Sequence, residues 1–117
     1  MRKLLIAIDS PIITDILKCA LESEFTVYTC RRGDEALRLL EDIRPEAMII
    51  HLSLSKLTGL EVLRKTSFTP PAVLALTYFL SDAVVRDAAA AGAGDILLLP
   101  CSLSYILSRL NRLLYGQ

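Results

Sequence analysis

Five apolar runs, KLLIAI, FTVYTC, AMIIHL, AVLALTYF and DILLLP, recur at spacings of roughly 20 to 25 residues, and each has the length of a strand rather than a helix. The segments between them carry the period of amphipathic helices. The clearest is the last, where Leu103, Ile106, Leu107, Leu110, Leu113 and Leu114 form one apolar stripe. Ser10 and Pro11 supply an N-cap and a first helical residue, Thr58 and Glu61 have capping-box spacing, and Ser81 and Ser102 are placed to cap the fourth and fifth helices. Pro45 closes the second helix and Gly92 the fourth. The alternation reads βαβαβαβαβα, which forces parallel pairing with helices on both faces of one sheet. Runs one, three, four and five are continuous, as expected of strands buried on both sides, whereas the mixed second run suits an edge.

A chain of 117 residues has room for one such domain, 1–117. Thirteen Lys and Arg balance thirteen Asp and Glu, so there is no broad positive field and direct nucleic-acid binding is not expected. No apolar run approaches the roughly 20 residues that cross a bilayer, and Asp9 interrupts the opening stretch too early for a signal peptide, so no membrane partner and a cytoplasmic location are expected. Cys19, Cys30 and Cys101 are odd in number, with no CxxC pair and one histidine beside them. Buried reduced thiols fit that pattern better than a disulfide framework or a zinc site.

In an open parallel sheet, ligands bind beyond the carboxyl ends of the strands. The residues there are Asp9 and Ser10 after the first run, His51 after the third, Thr77 and Tyr78 late in the fourth, and Leu99 with Pro100 after the fifth. Ser53 lies on the loop that follows His51.

The stretch HLSLSKLTGLEVLR, residues 51–64, together with AAAAGAGDILLLPCS, resembles the receiver domain of bacterial response regulators, and the likeness runs from Lys3 to about Tyr115. The resemblance implies a flavodoxin-like three-layer α/β/α sandwich with a parallel sheet in the order 2-1-3-4-5 and five helices. It also implies a phosphoryl acceptor aspartate ending strand three, an acidic pair after strand one that helps to hold Mg²⁺, and a lysine ending strand five. Here those positions carry His51, Asp9 with Ser10, and Leu99; Thr77, Gly59 and Pro100 match the family, and Ser55 stands where a loop proline is usual. A hard cation needs several oxygen ligands, and an aliphatic side chain cannot stabilise an oxyanion. The expectation is a degenerate receiver with no catalytic residue, no bound metal and no cofactor, acting independently of phosphorylation.

The resemblance further implies homodimerisation through helix four, strand five and helix five, a face that includes Arg86, Asp87, Asp95, Ile96, Tyr105, Arg109 and Arg112, with Ile96 where the family has an aromatic switch residue. It implies an output domain or partner regulator, with this chain as the N-terminal part of a longer transcriptional regulator. Three readings of His51 stand open: a hydrogen-bonded strand-end residue, an ion pair with Asp9 that keeps the imidazole protonated, and a phosphoacceptor. A second function class is small-molecule sensing in the strand-end crevice, which Leu99, Ile96 and His51 would make more apolar.

Overall fold

A computed structural model describes residues 1–116. The strands are β1 (Arg2–Ala7), β2 (Phe25–Cys30), β3 (Ala47–His51), β4 (Ala72–Thr77) and β5 (Asp95–Leu98), and the helices are α1 (Pro11–Leu21), α2 (Gly33–Ile43), α3 (Gly59–Lys65), α4 (Asp82–Ala90) and α5 (Leu103–Tyr115). The strands form one parallel sheet in the order β2-β1-β3-β4-β5. Side chains alternate across each strand, so β1 sends Leu4 and Ile6 to one face and Leu5 and Ala7 to the other. On the first face they meet Leu17 and Leu21 of α1 and Ile106 and Leu110 of α5. On the second they meet Ala36 and Leu40 of α2 and Val62 and Leu63 of α3. This is the flavodoxin-like three-layer sandwich, and each large side chain fully buried in its two cores contributes about 1.5 to 3 kcal/mol.

Local chemistry sets the helix starts. Ser10, Thr58, Ser81 and Ser102 each accept a hydrogen bond from the amide three residues on, and the Glu61 carboxylate in turn accepts from the amide of Thr58. Gly59 opens α3 where the chain passes so close to β3 that a β-carbon would lie 2.6 Å from the carbonyl oxygen of His51.

Four expectations need correction. Strand β5 is not buried on both sides: it is the second edge of the sheet, and Leu98 is 48% exposed. Strand β4 ends at Thr77 instead of continuing to Phe79, because the Thr77 hydroxyl donates to the Phe79 carbonyl and accepts from the Phe79 amide, folding the chain into a turn. Leu103 of the α5 stripe is exposed, at the rim of open clefts beside Ile16 of α1. Of the cysteines only Cys30 is buried, where loss of solvent and the nearby Glu35 push its thiol up to about 12; Cys101 is half-buried and Cys19 is exposed.

Candidate functional site

The carboxyl ends of β1, β3 and β5 surround a crevice of about 310 Å³, lined by Asp9, Ser10, Ile13, His51, Tyr78 and Leu99 together with Ile8. Asp9 is an exposed residue of the β1–α1 turn, and among the described residues no side chain forms an ion pair with it. Ser10 begins α1, and its hydroxyl accepts from the Ile13 amide at 3.3 Å. His51 ends β3 in register with Leu76 of β4, and the amide of Leu52 donates to the Leu76 carbonyl at 2.9 Å, which ties this strand end to its neighbour. Leu99 is buried, and the trans-sheet bond from its amide to the Thr77 carbonyl, 2.7 Å, holds it at the crevice wall.

His51 departs from the two simplest readings of its role. The side chain is only 9% exposed, and its Nε2 atom is buried without a hydrogen-bond partner among the described residues. No ion pair with Asp9 forms either. Burial pulls the imidazole pKa below the ordinary histidine value, and the opposing attraction of Asp9 is the smaller effect. The imidazole is therefore neutral at physiological pH. Tyr78 meets the ring edge to face at 5.5 Å between centroids, Ile13 and Leu99 line the same crevice, and of the polar groups there the Ser10 hydroxyl is engaged by the Ile13 amide while Asp9 makes no hydrogen bond to the ring.

The sign of the pH effect follows. The folded pKa lies below the unfolded one, so the unfolded chain takes up the proton first. The stability due to the neutral imidazole is complete above about pH 6.5 and is lost as pH falls through the folded value. In urea denaturation, the wild type is expected to lose stability relative to His51→Leu on acidification through this window. A stability difference between the two proteins that stays constant with pH would refute the burial account.

The other anticipated site residues divide. Thr77 is buried, but its hydroxyl is committed to Phe79 and does not line the crevice. Ser53 is exposed on the turn after β3 and lies outside the lining, as does Pro100, which borders a separate apolar cleft of about 140 Å³ between α1 and α5. Ile96 is half-buried and lines a hollow beside α4, away from the crevice. Tyr78, expected at the strand ends, lines the crevice, and so do Ile8 and Ile13, which were not singled out. Tyr78 stood among the strand-end residues, and Ile13 sits one turn after a helix start that faces the site; both signals were present in the sequence.

On the β5–α5 face, Asp95 accepts from Arg109 at 2.5 Å, and Arg109 also donates to the Tyr105 hydroxyl at 3.2 Å. The bond to Asp95 raises the pKa of the Arg109 guanidinium. Arg86, Asp87 and Arg112 are exposed and form no ion pair among the described residues.

Residues 4–111 match the family model described as the response regulator receiver domain. The chain is 29% identical over 117 residues to the transcriptional regulatory protein TrcR of Mycobacterium tuberculosis, a match covering 96% of this chain and 45% of that protein. It is 30% identical over 115 residues to the response regulator MprA of Mycobacterium ulcerans, covering 96% of this chain and 50% of that one. The chain thus spans about half the length of the curated relatives it matches. Its fold superposes with a TM-score of 0.81 on the signal receiver domain of a signal transduction histidine kinase from Syntrophus aciditrophicus, 29% identical, covering 99% of this chain and 92% of that chain. With the Francisella response regulator 1452 receiver domain the TM-score is 0.84 at 26% identity, covering 97% of this chain and 96% of that chain. A match over nearly the whole chain, on a sheet of the same strand order, makes this chain a member of the response regulator receiver family.

Proposed function

We propose that this receiver domain works without phosphorylation, as a dimerisation and protein-interaction module that governs an output domain or partner regulator in two-component-type signalling. One observation carries the reading: the strand-end position from which a receiver's acceptor carboxylate would project is held by a buried, neutral imidazole. The donor set around it does not fit Mg²⁺. Among the described residues Asp9 is the only carboxylate lining the crevice, the Ser10 hydroxyl already caps α1, and Leu99 offers no charge. Among the described residues no three His, Cys, Asp or Glu side chains gather closely enough to share a metal ion. Mg²⁺ keeps near-ideal octahedral geometry with oxygen ligands, so one carboxylate beside an imidazole gives it little hold. With neither metal nor lysine, charge developing on a transferred phosphoryl group would go unopposed.

The second half of the reading concerns the β5–α5 face. Leu98 and Tyr105 are exposed there and Val85 of α4 lies near them in the fold order, which offers apolar and aromatic surface of the kind interfaces use. Because Arg109 is held by Asp95 within the same chain, apolar contact rather than a bridge from Arg109 would carry the association. Sedimentation of the wild type and of Leu98→Glu, each with and without Mg²⁺ and acetyl phosphate, tests both halves. The expected result is a wild-type dimer whose mass is indifferent to the additions and a monomeric variant. A wild type that dimerises only when acetyl phosphate and Mg²⁺ are present would contradict it.

A further inference from the structure

We infer that the crevice at the carboxyl end of the sheet binds a small primary amine, whose ammonium head pairs with Asp9 and donates to Nε2 of His51 while a short apolar tail lies along Ile13 and Leu99. The inference rests on the proposal that this crevice performs no phosphoryl chemistry, and it deepens that proposal by naming the class of molecule that occupies it.

A buried polar atom without a partner is costly, and in a folded protein it points to a water, an ion or a ligand. His51 is such a residue: nine-tenths buried, with Nε2 unpartnered, in the wall of a cavity of about 310 Å³. That cavity shares Ile13, Tyr78 and Leu99 with the apolar cleft of about 140 Å³ between α1 and α5. The crevice itself therefore has a polar side at Asp9 and His51 and an apolar side at Ile13 and Leu99, whose far faces line the neighbouring cleft.

The charge of the head group follows from what lines the polar end. No Lys or Arg borders either cavity. The start of α1 offers an anion little, because Pro11 has no N–H, the Ile13 amide is bonded to the Ser10 hydroxyl and the Thr14 amide to the Ser10 carbonyl, which leaves the Ile12 amide alone in the first turn. An anion would meet a carboxylate and few donors. An ammonium ion meets that carboxylate and, with the ring neutral and its proton placed on Nδ1 in the inferred complex, the lone pair of the unpartnered Nε2. The exposed Tyr78 ring, edge to face with His51, adds a π surface for a cation; because Nε2 is closed to solvent, binding of the amine as inferred requires this ring to shift.

The test titrates the ¹⁵N-labelled full chain with phenethylamine, phenethyl alcohol and hydrocinnamate, which share one ring and differ in head group. Expected are saturable amide shifts at residues 8–13, 51, 78 and 99, binding of the amine at least about tenfold tighter than the alcohol, and silence from the acid, as charge-assisted hydrogen bonding requires. Asp9→Asn is expected to weaken the amine by about tenfold while leaving the rest of the spectrum in place. Equal binding of the three probes, shifts that do not saturate, or indifference to Asp9→Asn would overturn the inference, as would finding a water only at Nε2. MgCl₂ titrated into the same sample separates the two levels: silence toward both Mg²⁺ and the amine sinks this inference alone, whereas saturable Mg²⁺ shifts at Asp9 sink the proposal beneath it.

Discussion

Gly59→Ala is expected to lower the unfolding free energy by about 2 to 4 kcal/mol, as overpacking against backbone does when the neighbour cannot give way. The added methyl group would stand 2.6 Å from the His51 carbonyl oxygen and 2.8 Å from the Leu52 α-carbon. Both atoms belong to the end of β3, which is pinned by the Leu52 amide to the Leu76 carbonyl and by the Gly59 amide to the Leu52 carbonyl, 2.9 Å in each case. The substitution must therefore push α3 away from the sheet or move the strand end that carries His51. Thr58→Ala next to it provides the scale: it removes only the cap of α3 and should cost about 1 kcal/mol. Chemical denaturation of the two variants checks the order. A Gly59→Ala loss no larger than that of Thr58→Ala would show that α3 is free to adjust.

The second large effect is a gain. Combining Ser10→Asp, His51→Asp and Leu99→Lys places three carboxylates and one ammonium group around the crevice. Asp caps a helix as well as Ser does, so the start of α1 should survive. Without metal, converging like charges and a lysine at a buried leucine position should make the variant less stable than the wild type by about 3 kcal/mol. With Mg²⁺ at ten times its dissociation constant the variant should recover about 1.4 kcal/mol by mass action. Thermal unfolding with and without MgCl₂ reads this directly: the variant's Tm is expected to rise with the metal and the wild type's to stay fixed. A variant as indifferent to Mg²⁺ as the wild type would mean that something other than the donor set excludes the cation.

The parts of the fold that local rules govern were legible in the chain. Alternation of strand-length and helical segments leads to a parallel sheet, and the serine and threonine caps bond to amides only three residues away. What depended on distant neighbours was not legible. The apolar residues of DILLLP read as a strand buried on both sides; only the strand order implied by the resemblance puts it at an edge, where Leu98 is half exposed. Leu103 follows the helical period faithfully, but its side chain borders open clefts beside α1 instead of the closed core. Cys19 is exposed on the outer surface of α1 for a similar reason.

The site divides along the same line. Asp9, Ser10, His51 and Leu99 were identifiable as strand-end residues and do line one crevice. Thr77 and Ser53 were not excluded by position alone; a turn within the β4–α4 loop takes the hydroxyl of the first, and the second faces outward. The missing hydrogen bond at His51 could not be read from the sequence, because it depends on how the side chains of Asp9, Ser10 and Tyr78, from other loops, are turned relative to the ring.

The central claim is that a buried imidazole and a single carboxylate at the crevice leave this receiver unable to take a phosphoryl group. Incubation of the wild-type chain with acetyl phosphate and MgCl₂, followed by intact-mass measurement under conditions that preserve acyl phosphates, tests it most directly. The account predicts an unchanged mass. The gain of one phosphoryl group on a stoichiometric fraction of the chains would contradict it.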